Sequence, residues 1–365
     1  MQYSKDLIIN ALRTVNDPDL HKDLVTLNMI EDVTVNGDTI SFKVVLTTPA
    51  CPLKNKIKQD CIDAVLKVYP AAEVSIEMTS RVSTRRAANQ QMLKGVKNII
   101  AIASGKGGVG KSTVAANLAV ALGLTGAKVG LVDADIYGPS VPLMFGEVAS
   151  KPSAIEKDGK ALVVPIEKFG IKILSIGFFV DPEKALVWRG PMASNALTQL
   201  FTEADWGELD YLILDMPPGT GDIHLTIVQN LSVTGVAIVT TPQEVALADA
   251  RKAIGMFSQE NINVPILGLI ENMSWFTPEE LPDNKYYIFG QEGGRKLAEE
   301  YNIPLLGQIP LVQGIRESGD NGRPIAMQDN SPVADAFRIL AETTAQQIAI
   351  RNVTLEPTKP VQMTH

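Results

Sequence analysis

The sequence predicts an α/β fold: a doubly wound, mostly parallel sheet preceded by a small α+β domain. Three observations carry that reading. From residue 98 onward, short apolar runs alternate with helix-length segments, the pattern of a parallel sheet covered on both faces. The string Gly105-Lys106-Gly107-Gly108-Val109-Gly110-Lys111-Ser112-Thr113 fits G-x-x-x-x-G-K-[ST] and lies between an apolar strand and a helix-forming run. Residues 1–80 follow a different order of helix, hairpin, helix and strand. The chain is thus expected to divide into a small domain over 1–80, a basic linker over 81–97, the phosphate-loop domain over 98–351 and a flexible tail over 352–365.

Each element has a local cause. Residues 3–15 place Leu7, Ile8, Ala11, Leu12 and Val15 on one helical face. Asp17-Pro18-Asp19 ends that helix, because proline drives the residue before it away from helical angles. Val33-Thr34-Val35, Asn36-Gly37 and Asp38–Thr47 read as a hairpin in which Asn36-Gly37 supplies the positive φ of a primed turn. Ile40, Phe42, Val44 and Leu46 alternate along its second strand. A helix over 53–68 and a strand over 73–78 complete the domain. Residues 81–97 carry Arg81, Arg85, Arg86, Lys94 and Lys97 and no acidic residue; 85–94 has helix-compatible composition. Strands then follow at 98–103, 128–133, 171–176, 209–215, 235–240, 265–270 and 305–309. Helices fall near 112–124, 191–204, 223–231, 245–259, 292–301 and 332–350. Pro357 and Pro360 mark the tail as unstructured.

Bulk properties narrow the function. A net charge of −8 argues against a broad nucleic-acid footprint. No apolar run is long enough to span a bilayer, and the first residues open into an amphipathic pattern rather than a signal peptide. Two cysteines, Cys51 and Cys61, make no disulfide framework, so a reducing cytoplasmic setting is expected.

The chemistry gathers where parallel strands end. The glycines of 105–110 curl the backbone N–H groups around one anion at a helix N-terminus, Lys111 reaches the β- and γ-phosphates, and the Ser112 hydroxyl holds Mg²⁺. Strand 128–133 runs into Asp133-Ala134-Asp135-Ile136-Tyr137-Gly138-Pro139-Ser140, bringing two carboxylates that can orient water; Asp133 has a helix- or turn-capping alternative. Strand 209–215 closes on Asp215, the Walker-B position, which would hold Mg²⁺ through water. Pro217-Pro218-Gly219-Thr220-Gly221 suits a loop that senses the γ-phosphate through a backbone N–H, with Gly219 against the nucleotide. Asn272, after strand 265–270, can present donor and acceptor to an adenine edge or simply form a turn. Cys61 falls in line with Ile57, Ala64, Val65 and Val68 and reads as core. Cys51 precedes Pro52, which suits a first helical position, so Cys51 is expected at a helix N-cap where the dipole favours a thiolate. That leaves it either structural or a reactive, iron-ligating thiol.

The run Lys106–Lys111 resembles the deviant Walker A of the family containing MinD, ParA and the nitrogenase iron protein. Val132–Ser140, Asp215–Asp222, Thr241-Pro242-Gln243, Glu271-Asn272-Met273-Ser274 and Ile288-Phe289-Gly290 narrow the likeness to the Mrp branch of P-loop NTPases, ATPases that carry iron–sulfur clusters. Asp17–Leu20 and Leu46–Pro52 resemble the SufT-like domain linked to iron–sulfur assembly. The resemblance implies a homodimeric ATPase of slow intrinsic turnover. In it Lys111, Ser112 and Asp215 bind ATP–Mg²⁺, Asp135 orients the attacking water, and Lys106 reaches the partner's nucleotide. Its implied partners are apo iron–sulfur proteins and cluster assembly factors, not nucleic acid or membrane. One departure stands out: Thr277 and Glu280 occupy the places where the family has a Cys-x-x-Cys pair, and neither is a soft ligand for a cluster. A MinD- or ParA-like positioning ATPase, or a nucleotide-switched scaffold without a cluster, is the alternative.

Overall fold

The computed structural model describes residues 3–86, 92–157, 159–180, 190–278 and 280–361. Two units form within it: the residues up to Ser83 together with Ala345–Leu355, and Thr84–Thr344 together with the residues from Glu356.

In the first unit the elements are α1 (Lys5–Leu12), β1 (Asn16–Asp17), β2 (Lys22–Asp23), β3 (Ile30–Asn36), β4 (Thr39–Leu46), α2 (Lys54–Val68) and β5 (Glu73–Ser80). Alternation along β4 turns Ile40, Phe42 and Val44 inward while Ser41 and Lys43 stay partly exposed. β3 pairs antiparallel with β4, and β5 pairs parallel with β4 on its other side after the α2 crossover. The core joins Ile8 and Leu12 of α1, Ile57, Cys61 and Val65 of α2, and the inward residues of β4. Cys61 is thus a core residue, as its helical spacing suggests. The hairpin turn sits one residue later than expected. Asn36 pairs with Thr39, so Gly37 and Asp38 are its central residues, and only Gly37 has positive φ (61°). That is the pattern of a type II′ turn, with glycine first.

In the second unit follow β6 (Val96–Ala103), α3 (Lys111–Leu124), β7 (Val129–Asp133), α4 (Val141–Met144), β8 (Ser153–Lys157), β9 (Lys160–Val164), β10 (Ile166–Lys168), β11 (Ile171–Ser175), α5 (Gly190–Thr202), β12 (Leu209–Asp215), α6 (Asp222–Asn230), β13 (Gly235–Thr240), α7 (Glu244–Phe257), β14 (Ile266–Glu271), α8 (Gly293–Glu300), β15 (Leu305–Gln308), α9 (Gln313–Asp320) and the start of α10 (Pro332–Thr354), whose residues from Ala345 on belong to the first unit. Among the described residues, eight strands form one sheet in the order β10-β11-β7-β12-β6-β13-β14-β15. All neighbours run parallel except β10 against β11. This is the doubly wound, mostly parallel sheet that the alternating pattern predicts. After β6 the chain winds towards β7, and after β13 towards β14, so β6 and β13 flank the switch point where such sheets bind ligands.

α3 is buried from Val114 through Leu122, as its apolar composition all round requires. The short exposed β8–β9 ribbon, the four-residue α4, and α9, whose one large apolar residue is Ile315, are additions to the expected elements. Of the basic stretch 81–97, Arg81 meets Glu31 at 3.1 Å, Lys97 meets Asp210 at 2.8 Å, and β6 already begins at Val96. Of the helix considered over 85–94, residues 87–91 lie outside the described set, and the described residues 85–86 and 92–94 are not helical. The last helix runs on to Thr354. Among the described residues no helix is long and apolar enough to cross a membrane.

Candidate functional site

Between β6 and α3 the chain must turn sharply and still aim its N–H groups at one point. Gly108 (φ 82°) and Gly110 (φ 81°) take left-handed angles that side chains resist. Gly105 answers a different need: a Cβ there would lie 2.0 Å from the Asp249 carbonyl oxygen of α7. Gly107 and Gly108 are exposed along the open side of the loop. The Ser104 hydroxyl donates to the Lys106 carbonyl at 2.9 Å, and the Gly219 N–H donates to the Ser104 carbonyl at 2.9 Å. A cavity of about 250 Å³ opens over Gly107, Gly108, Lys111, Ser112, Asp135 and Pro218. A second, of about 290 Å³, shares Gly110, Thr113 and Met144 with it and is walled by Leu311 and Ile315. A polar cradle beside an apolar chamber suits a phosphate chain joined to a flat base.

Strand register assembles the charges. Asp215 pairs with Ile102 of β6 on one side and with Asp133 of β7 on the other, and Asp133 pairs with Ser175 of β11. The Lys111 ammonium lies 2.6 Å from Asp215 Oδ1, 3.2 Å from Ser112 Oγ and 3.8 Å from Asp135 Oδ2. Lys111 is 6% exposed and Asp215 is fully buried, so this pair sits in a medium where charge interactions are strong. Burial pushes the Asp215 carboxyl above its ordinary range, against the pull of Lys111. Asp135 is likewise raised by burial and opposed by Lys111. Asp215 Oδ2 is buried and, among the described residues, has no hydrogen-bond partner.

Asp133 turns away from the cradle. Its Oδ1 accepts the Asp135 N–H at 3.2 Å; its Oδ2 accepts the Val141 N–H at 3.1 Å and the Ser175 hydroxyl at 3.0 Å. It therefore ties both ends of the loop that carries Asp135. Full burial, then the nearby Asp215 charge, push its carboxyl up to about 7. In the sequence Ser175 carries no signal beyond its place near the end of the expected strand 171–176. Asn272 faces the phosphate loop: its Nδ2 donates to the Val109 carbonyl at 2.8 Å, and a Cβ on Gly110 would lie 2.2 Å from that nitrogen. It braces the cradle while also lining the apolar chamber. Among the described residues, no ion pair or hydrogen bond engages the Lys106 ammonium. Thr113 lies in the first turn of α3, its carbonyl taking the Asn117 amide at 2.9 Å.

Cys51 departs from its expected place. α2 begins at Lys54 with Leu53 at its N-cap, and Cys51 precedes the turn over Pro52 and Leu53. Its carbonyl accepts the Lys54 N–H at 3.4 Å. The helix N-terminus thus lies beyond Cys51, because Pro52 enters the turn rather than the helix. Cys51 is partly exposed beside Asp17, Asp19, Thr48 and, from α10, Gln346, whose amide donates to Asp19 at 2.7 Å. Thr277 follows a short ladder in which Phe276 and Tyr286 exchange backbone hydrogen bonds of 2.8 Å, with Lys285 over the Trp275 ring at 4.1 Å. Among the described residues no group of three or more His, Cys, Asp or Glu is placed to hold a metal ion.

Known proteins share this architecture. Residues 95–345 match the ParA family described as NUBPL iron-transfer P-loop NTPase, and residues 5–78 match a family described as iron-sulfur cluster assembly protein. An iron-sulfur cluster carrier protein of Synechocystis sp. is 48% identical over 347 residues, spanning 94% of this chain and 98% of the relative. One from Escherichia coli is 43% identical over 344 residues, spanning 94% and 92%. A nucleotide-binding protein from Archaeoglobus fulgidus, solved in complex with ADP, aligns with a TM-score of 0.56 at 36% identity, over 67% of this chain and 92% of that one. The Cys-x-x-Cys pair is missing here, since the only cysteines are Cys51 and Cys61. The chain belongs to the Mrp/ParA-type family of iron–sulfur cluster carrier P-loop ATPases, hydrolyses ATP, and carries an iron–sulfur assembly-related domain at its N-terminus.

Proposed function

We propose that this chain is a homodimeric, ATP-switched factor that passes iron–sulfur clusters, as cargo, to apo proteins and assembly partners. The observation that supports the switch is the convergence of Lys111 on Asp215 at 2.6 Å and Asp135 at 3.8 Å beneath the glycine loop. In this reading the N–H groups of 105–113 and the Lys111 ammonium hold the phosphates, and Gly219 reads the terminal one. The donor set fits Mg²⁺: the Ser112 hydroxyl stands beside Lys111, and the buried Asp215 Oδ2, without a hydrogen-bond partner among the described residues, is an acceptor suited to a metal-bound water. Bound Mg²⁺ would neutralise charge on the β- and γ-oxygens. Asp135, held by the loop that Asp133 pins, orients the attacking water. Lys106, whose ammonium has no ion pair or hydrogen bond among the described residues, stabilises the transition state on the partner's nucleotide.

The cargo follows from the relatives' names, and the donor set does not repeat the expected thiolates. Thr277 and Glu280 offer only hard oxygens, and Cys61 is sealed in the core. Cys51 is the one thiolate each chain has to offer, so the cluster would have to be shared across a dimer with other ligands. Anaerobic reconstitution with iron and sulfide tests this. A visible chromophore in the wild type that is lost in Cys51→Ala supports the reading; no chromophore in either removes direct carriage.

A further inference from the structure

His224, on the first turn of α6, is 1% exposed, and neither ring nitrogen has a hydrogen-bond partner among the described residues. A buried polar group left so costs stability, and an apolar side chain of similar size would not. Its surroundings narrow the reason. The Phe257 ring of α7 stands edge-on at 6.4 Å. The carbonyls of Gly221 and Pro217 face the ring closely enough to lift its basicity, but neither meets the geometry of a hydrogen bond. Burial is the largest influence on the imidazole and Lys111 is the charged side chain that acts on it among the described residues; both lower its basicity and favour the neutral ring, which has one N–H to give. The Gly221 carbonyl already takes the His224 backbone N–H at 3.0 Å, so the ring would share that acceptor, whereas the carbonyl of buried Pro217 is the other acceptor beside it.

Both carbonyls belong to the loop between Asp215 and α6. Met216 and Gly219 tie that loop to β6 and to Ser104 with N–H bonds of 3.0 and 2.9 Å, while Pro217 and Pro218 have no N–H to give. The loop is therefore anchored at the cradle but has no donor of its own across the proline pair. We propose that His224 is a positioning residue for ATP hydrolysis: its ring N–H donates to the Pro217 carbonyl when the loop closes over the terminal phosphate, and releases it when the loop opens. An unsatisfied ring in one state and a satisfied one in the other gives the loop two discrete arrangements that the nucleotide can choose between. This rests on the reading of that loop as the γ-phosphate sensor.

Amide hydrogen exchange at Met216, Gly219, Thr220 and Gly221, with ADP and with a non-hydrolysable ATP analogue, separates the two claims. In the wild type the analogue should protect the loop more than ADP does. His224→Leu should keep nucleotide affinity and melt no lower than wild type, yet lose the extra protection and fall about tenfold in kcat, the worth of one loop-fixing hydrogen bond. His224→Gln, which keeps an N–H donor, should restore most of both. His224→Met serves in place of Leu if that variant does not fold. Wild-type kcat and protection in the apolar variant would overturn the role of His224. Equal protection by ADP and the analogue in the wild type would overturn the sensor reading, and the proposal with it.

Discussion

Gly110 shows how much of the site hangs on single atoms. Its φ of 81° and the Asn272 amide 2.2 Å from a would-be Cβ leave no room for a methyl group. Gly110→Ala would pay about 1–2 kcal/mol for the left-handed angle alone and must also push Asn272 off the Val109 carbonyl. Calorimetric titration with ATP should show binding weakened at least tenfold with the fold retained; wild-type affinity would mean the cradle tolerates that shift. The thiols differ just as sharply. Burial pushes Cys61 up to about 12, so it stays protonated and inert at neutral pH, whereas Cys51 is partly exposed. Iodoacetamide at pH 8 should modify Cys51 in the native protein and reach Cys61 only after unfolding, as peptide mass mapping would show.

At the scale of elements, strand register matters more than any one motif. Ser175, Asp133 and Asp215 stand in neighbouring strands at the same level, which is why a serine on β11 can hold an aspartate on β7. Asp133 binds its proton more tightly folded than unfolded, because its pKa rises from 3.8 to about 7. Its contribution to stability is therefore greatest below about pH 4 and is lost as pH climbs to 7. Asp133→Asn should flatten the pH dependence of urea unfolding between pH 5 and 8; an unchanged slope would place the titration elsewhere.

The same elements show what could be read from the chain. Local signals sufficed for the phosphate loop, the apolar strands and the aspartates at their ends, since glycine angles and apolar runs are written in consecutive residues. Partners far apart in sequence did not declare themselves. Asn272 gives its amide to Val109, a bracing role that neither the adenine-edge nor the turn reading contains, while Asp133 accepts from Val141 at the start of α4, as its capping alternative allows, and from Ser175, which no local signal announces. Pro52 is compatible with either a turn or a helix start, and the turn over Pro52 and Leu53 decided for the former.

At the scale of the whole molecule, the protein joins an ATPase unit to a small unit whose only accessible thiol is Cys51, and it lacks the thiolate pair near Thr277. ATP binding is then the firm part of its chemistry, and the central claim is that two chains complete each other's sites. Lys106→Ala and Asp135→Ala should each reduce turnover by about 100-fold or more, the scale of a lost charge-stabilising or water-orienting group. Mixing the two inactive variants tests the claim most directly. A mixed dimer has one site with its own Asp135 and the partner's Lys106, so random pairing should restore about a quarter of wild-type turnover. A mixture no more active than the sum of its parts would contradict the account.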